Sequence, residues 1–166
     1  MGIASLPPRM HVDLSTTLTC TYDQAIGEVQ TARLLQYVAH PLVRFSPVGK
    51  DAFPLVWTVG THWVNLWLFG VLPLGRQAIV ISFPPVASGF ALRDAGHSAL
   101  IATWDHRITI EHGNSGVVYR DHVTVRAGIL TPAVWLFAQI FYRHRQRRWR
   151  KLVKSGFDYS AAESNV

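Results

Sequence analysis

From residue 11 to residue 22 apolar and polar side chains alternate. Val12, Leu14, Leu18 and Cys20 fall on one side, and Asp13, Ser15, Thr17 and Thr19 on the other. A period of two with so many β-formers predicts a half-buried strand. Residues 24–39 have helical composition, with Asp23 placed as N-cap. Gly27 weakens the first part, so two short helices are expected rather than one rod. His40-Pro41 closes them, because a residue before proline is pushed out of the α region. Extended runs follow at 42–47, 55–69, 77–83, 89–94, 100–111 and 117–126. The turns between them are expected at Val48-Gly49-Lys50-Asp51, across Gly70 to Gly75, at Pro84-Pro85, at Ala95-Gly96 and across His112 to Gly116.

The last element carries the clearest helix signals. Gly128 ends the final strand, Thr131 stands as N-cap, and Pro132 takes the first helical position, where a missing N–H costs nothing. Residues 133–154 then run as one helix of about 22 residues, roughly 33 Å at 1.5 Å per residue, and Gly156 stops it. Its first half, with Val134, Trp135, Phe137 and Phe141, is apolar nearly all round and is expected to be widely buried. Its second half is basic and is expected to emerge into solvent. The pattern as a whole predicts an α+β domain over residues 1–154. About seven antiparallel strands form a curved sheet wrapped around a long C-terminal helix, with two short helices after the first strand. Residues 155–166 read as a loose tail.

Composition supports one sizeable core, since 49% of the 166 residues are hydrophobic and only 16% are charged. The net charge of +6 is local. Arg143, Arg145, Arg147, Arg148, Arg150, Lys151 and Lys154 supply seven of the sixteen basic residues, and without them nine face ten acidic ones. One cysteine, Cys20, excludes an internal disulfide and reads as a small packing residue. Residues 1–10 lack a signal-peptide pattern. The run 55–74 is broken by His62, Asn65 and Pro73, and 129–142 is shorter than the roughly 20 residues that a spanning helix needs. A cytoplasmic protein, peripheral at most to a membrane, is the expectation.

Several of these pieces, taken together, resemble the SRPBCC superfamily of START-like, or helix-grip, proteins. They are the opening strand ending in Tyr22-Asp23, the helix pair closed by His40-Pro41, and Trp57…Gly60…Gly70…Pro73-Leu74-Gly75. The hairpin Trp104-Asp105-His106-Arg107…Tyr119-Arg120-Asp121-His122-Val123 and the closing Gly128-Ile129-Leu130-Thr131-Pro132 complete them. The resemblance covers about residues 10–153. It is strongest to small bacterial members and to polyketide cyclase/dehydrase-like proteins. It implies a cavity between sheet and helix that takes a lipid, sterol, quinone, hormone or polyketide. Residues 42–55 lack the glycine-rich loop of the plant pathogenesis-related members, and no Rieske-type Cys/His set is present, so no one family's binding residues carry over.

Strand alternation puts Trp104, His106, Ile108 and Ile110 on one face of the last hairpin, with Val117, Tyr119, Asp121, Val123 and Val125 on the matching face of its partner. His106, Asp121 and Tyr119 are therefore candidates for acid/base work. Contact with a ligand head group and a satisfied structural network are the competing readings. Trp57, Trp63, Trp67, Trp104, His106, Tyr119, Asp121, Val134, Phe137 and Phe141 form the candidate ligand-binding set, for which ordinary core packing is the alternative. Alternation separates His62 from Trp63, Asn65 and Trp67 without assigning the inner face. The eight histidines show no zinc spacing, so neither metal nor cofactor is expected. Arg143, Arg147, Arg148, Trp149, Arg150 and Lys151 are candidates for contact with an anionic membrane surface or, less favoured, with nucleic acid. A solvated helix end assisted by the helix dipole is the alternative. The leading functional reading is carriage or sensing of a hydrophobic small molecule, and an enzyme of the cyclase/dehydrase type is its rival.

Overall fold

The computed structural model describes residues 9–49 and 52–160. Strand β1 (Met10–Leu18) is followed by helices α1 (Tyr22–Val29) and α2 (Ala32–Ala39). Strands β2 (Val43–Pro47), β3 (Gly60–Leu68), β4 (Leu72–Ser82), β5 (Phe90–Ser98), β6 (Thr103–Gly113) and β7 (Gly116–Arg126) come next. A 3₁₀ turn (Gly128–Leu130) leads into helix α3 (Thr131–Lys154). The seven strands form one antiparallel sheet in the order β1-β7-β6-β5-β4-β3-β2. After β1 the chain crosses through α1 and α2 to the far edge and meanders back, so that β7 ends beside β1. Helix α3 then crosses the inner face.

Several boundaries differ from expectation for local reasons. Thr21, not Asp23, caps α1, and Thr21 and Gln24 bond each other reciprocally as a capping box. Thr31 caps α2 through the Leu34 N–H. Residues 55–59 are not part of β3. There the chain instead lays Trp57 into the core, with its N–H donating to the Gln30 carbonyl at 2.7 Å. The turn expected across 70–75 is confined to 69–71, and β4 runs on through Pro73 and Gly75 with an irregularity in register at Leu66/Trp67. Ala95-Gly96 is no turn, because β5 continues to Ser98. Thr131 lies inside α3 rather than capping it. Its hydroxyl accepts from the Ala127 N–H and donates to the Gly128 carbonyl, which closes the 3₁₀ turn. Lys50 and Asp51 of the expected turn, and residues 161–166 of the expected tail, lie outside the described residues. Tyr159, in the described part of that tail, is buried with its ring edge-on to Tyr37.

Helix α3 departs from the expected burial in both halves. The apolar first half is partly open, with Leu136 57% and Ile140 56% exposed. The basic second half is held between β1, β7 and α2. Arg145, Gln146, Arg148, Trp149, Leu152 and Val153 are all buried. Charge is accommodated there by specific partners. Arg148 donates to the Tyr37 carbonyl at 2.8 Å and lies 4.2 Å over the Tyr37 ring. Trp149 stacks on Tyr119 at 5.0 Å. With Arg145 and Arg148 turned inward, the remaining cations form one outward stripe.

A close approach fixes the start of β7 against β1. Gly116 opens β7 at φ +129°, and a Cβ there would lie 2.1 Å from the Leu18 carbonyl oxygen. Gly116→Ala is expected to cost about 2 kcal/mol or more of stability, read as a lowered urea midpoint. An unchanged midpoint would show that the β1–β7 junction relaxes freely.

Candidate functional site

Two features occupy the space between sheet and helix. They sit side by side along α3.

The first is a buried polar cluster. The alternation of β6 and β7 turns His106 and Asp121 inward, where both are buried. His106 Nε2 lies 2.7 Å from Asp121 Oδ1, which also accepts from the Tyr119 hydroxyl at 2.6 Å. Asp121 Oδ2 accepts from Gln146 of α3 at 2.9 Å, and the same amide nitrogen reaches the Leu14 carbonyl of β1 at 3.1 Å. Tyr142 packs its ring 4.7 Å from His106 and accepts a hydrogen bond from Trp104 Nε1 at 3.0 Å. The buried Arg145 guanidinium lies 5.3 Å from the Tyr142 ring centroid.

The titration of this cluster follows from enclosure and partners. Burial lowers the His106 pKa, against the pull of Asp121, and so favours the neutral imidazole. Burial would raise the Asp121 carboxyl, but hydrogen bonds from His106 and Tyr119 and the charge of Arg145 hold it below the usual carboxylate range. Burial also drives the Tyr119 phenol well up. Asp94 of β5 faces His106 across the strand pair. Its Oδ1 accepts the Val80 N–H at 2.7 Å, where the β4–β5 ladder is interrupted. Enclosure of the carboxyl raises its pKa to about 7, opposed by the Val80 bond and by Arg145.

The second feature is a cavity of about 350 Å³ between the first half of α3 and the ends of β2–β6. Val43, Phe45, Leu66, Leu68, Leu74, Leu100, Ile101, Trp104, Leu130, Ala133, Val134, Phe137 and Phe141 supply an apolar wall. Gln77, Ser98 and Arg76 are its polar members. Gln77 and Ser98 are direct neighbours across β4 and β5.

The predicted residues divide between these places. Trp104, Val134, Phe137 and Phe141 line the cavity. His106, Asp121 and Tyr119 meet one another but are not part of that lining. Trp57 packs against Phe53 and His62 in the core near α1 and α2. The register pairs His62 with Ile79 and Val64 with Gln77 on the inner face, which leaves Trp63 and Trp67 on the outer one. Trp63 is 47% exposed and meets His97 edge-on. Of the basic set, Arg143, Arg147 and Arg150 are exposed and Lys151 is partly so, whereas Arg148 and Trp149 are buried. Sequence reasoning missed Gln77, Ser98 and Gln146. The inward parity of Gln77 follows from that of Val64, which only strand pairing fixes. Among the described residues no set of three or more His, Cys, Asp or Glu side chains could hold a metal ion, and no helix is long and apolar enough to cross a membrane.

Asp121→Ala strands three buried partners and removes a negative charge that faces Arg145. A loss of about 3 kcal/mol or more is expected from denaturant unfolding, and a loss below about 1 kcal/mol would show that water enters the cluster. For Asp94, the folded state keeps the proton between the ordinary carboxylate value of 3.8 and about 7 while the unfolded chain releases it. The contribution of this group to stability therefore falls as pH rises through that window. Asp94→Asn is expected to gain on the wild type between about pH 4 and pH 7 and to hold a constant lead above that, with midpoints compared at each pH. Parallel curves for the two proteins would contradict the enclosure of this carboxyl.

Solved structures with the same architecture place the fold. A protein from Mesorhizobium loti matches with a TM-score of 0.61 at 9% identity, over 88% of this chain and 98% of that one. A START superfamily protein from Mycobacterium smegmatis matches at 0.56 and 10% identity, over 87% and 97%. A protein from Chromobacterium violaceum matches at 0.57 and 13% identity, over 86% and 96%. At these identities the likeness is one of fold, and the fold is the START-like helix-grip. No curated protein matches the sequence. The model of a family described as a domain of unknown function, DUF8410, matches residues 26–153, which is most of the chain, and the protein is a member of that family.

Proposed function

We propose that the protein binds a hydrophobic small molecule in the cavity between the sheet and the first half of α3. The observation that carries this reading is the wall itself, a void of about 350 Å³ lined almost wholly by aliphatic and aromatic side chains. Its size falls at the lower end of the range for small-molecule sites. Affinity would come from apolar burial at roughly 25 cal/mol per Å². Gln77 and Ser98, paired on neighbouring strands, would orient one polar group of the ligand. A lipid, quinone or polyketide-like compound has this division of surface, with a large apolar body and few polar atoms.

The cyclase/dehydrase alternative draws less support. It needs His106, Asp121 or Tyr119 within reach of a bound molecule, and Trp104, Tyr142 and Phe141 pack between that cluster and the cavity. In that arrangement the cluster acts as a structural tie between sheet and helix.

Val134→Trp places a large ring in the cavity. A fluorescent fatty acid is expected to bind the wild type and to lose at least about tenfold in affinity for this variant, equal to 1.4 kcal/mol. Thermal unfolding serves as the check that the fold survives. Native mass spectrometry of gently purified protein is expected to show a co-purified apolar species. Equal affinity for both proteins, with no retained species, would overturn the reading.

A further inference from the structure

The end of the molecule at which the cavity lies is also where apolar side chains are left uncovered. In this antiparallel meander the β3–β4 turn, the β5–β6 loop and the β7–α3 connection all lie at one end of the sheet. Their tips carry Phe69, Val71, Leu72, Leu100, Ile129 and Leu130, all exposed, with Ile129 97% accessible. Scattered exposed apolar residues are ordinary, but a set gathered on three adjacent loops marks an interaction surface.

The outward face of α3 continues that surface and then changes character. Positions 133, 136, 140, 143, 147, 150 and 154 follow one another at steps of three and four, so they form a single stripe. Ala133, Leu136 and Ile140 make it apolar for about 10 Å, beginning at the loop tips. From Arg143 onward it is basic, with Arg147, Arg150 and Lys154 exposed. The chain has no Asp or Glu in residues 69–76, 97–104 or 126–157. An apolar tip followed by a basic stripe, with no acidic residue on either, complements a surface that is oily inside and negative at its boundary. A bilayer with anionic head groups is such a surface.

We infer that the protein docks on anionic bilayers with the loop tips and the first two turns of α3 in the acyl–headgroup boundary. Arg143, Arg147, Arg150 and Lys154 meet the head groups above. The mouth of the cavity then opens onto the lipid. This differs from contact through the whole basic run, because Arg148 and Trp149 are buried and take no part. The inference does not depend on what the cavity holds.

Vesicle flotation tests it, with phosphatidylcholine vesicles with and without phosphatidylglycerol as the probe. The wild type is expected to float with the anionic vesicles and to be released by high salt. Ile129→Glu with Leu136→Glu, and separately Arg147→Glu with Lys154→Glu, are expected to weaken that association by at least tenfold, since each basic residue near the surface accounts for about fivefold. These four side chains are outside the cavity lining, so both double variants keep fluorescent fatty acid binding and their unfolding midpoint. Lost fatty acid binding by Val134→Trp with vesicle binding intact separates the two sites. The inference is overturned if the wild type stays out of anionic vesicles, or if neither double variant changes its flotation. Self-association abolished by Ile129→Glu/Leu136→Glu in the absence of vesicle binding also overturns it, making a second copy of the chain the occupant.

Discussion

The carboxylate of Asp121 joins the sheet to the long helix at one point. Its two oxygens collect a histidine from β6, a tyrosine from β7 and a glutamine from α3, and that glutamine also holds a carbonyl of β1. A charge taken out of water this completely is tolerated only when each lone pair has a donor. Two of the donors come from the β6–β7 hairpin itself and the third from α3, so satisfying the carboxylate fixes the register of the helix against the sheet. Sliding α3 by one turn would strand Asp121 and bring another side chain of the helix against it. Arg148 on Tyr37 and Trp149 on Tyr119 hold the same half of the helix from its other sides.

With the second half of α3 held in this way, the first half has a fixed position but an incomplete cover. A gap remains beside it at the end formed by the β3–β4 and β5–β6 connections. The gap is lined by residues that suit apolar company, and the cavity is that gap. The exposed flank of the same half-helix, with Leu136 and Ile140, has the same origin. Cavity and apolar surface are thus two consequences of anchoring the helix through its basic half. The polar cluster stabilises the scaffold, and the proposed binding takes place beside it. Aromatic side chains, Trp104 and Tyr142 among them, stand between the two.

Much of this was legible in the order of residues. Alternation in β6 and β7 correctly set Trp104, His106, Tyr119 and Asp121 on the inner face, because a period of two leaves only two choices and the apolar neighbours decide between them. Helix α3 was legible from Pro132 and the long run without a breaker, and the count and antiparallel order of strands from the turn signals between them. In β3 the same reasoning gave no answer. Apolar residues fall on both of its faces, and only its pairing with Gln77 and Ile79 of β4 turns His62 inward and Trp63 outward.

The sequence by itself determined the elements, their order, the single long helix and the meeting of His106, Tyr119 and Asp121, since each of these depends on spacing within a short stretch of chain. Tertiary structure alone decided how deeply the basic half of α3 is buried. Composition argues that arginine belongs in water and phenylalanine in the core. Here a carboxylate on another strand, a backbone carbonyl on α2 and two aromatic faces make an interior suited to Arg145, Arg148 and Gln146. The farthest of those partners, Tyr37, lies 111 residues from Arg148, and no local pattern of hydrophobic and polar positions carries information over that distance.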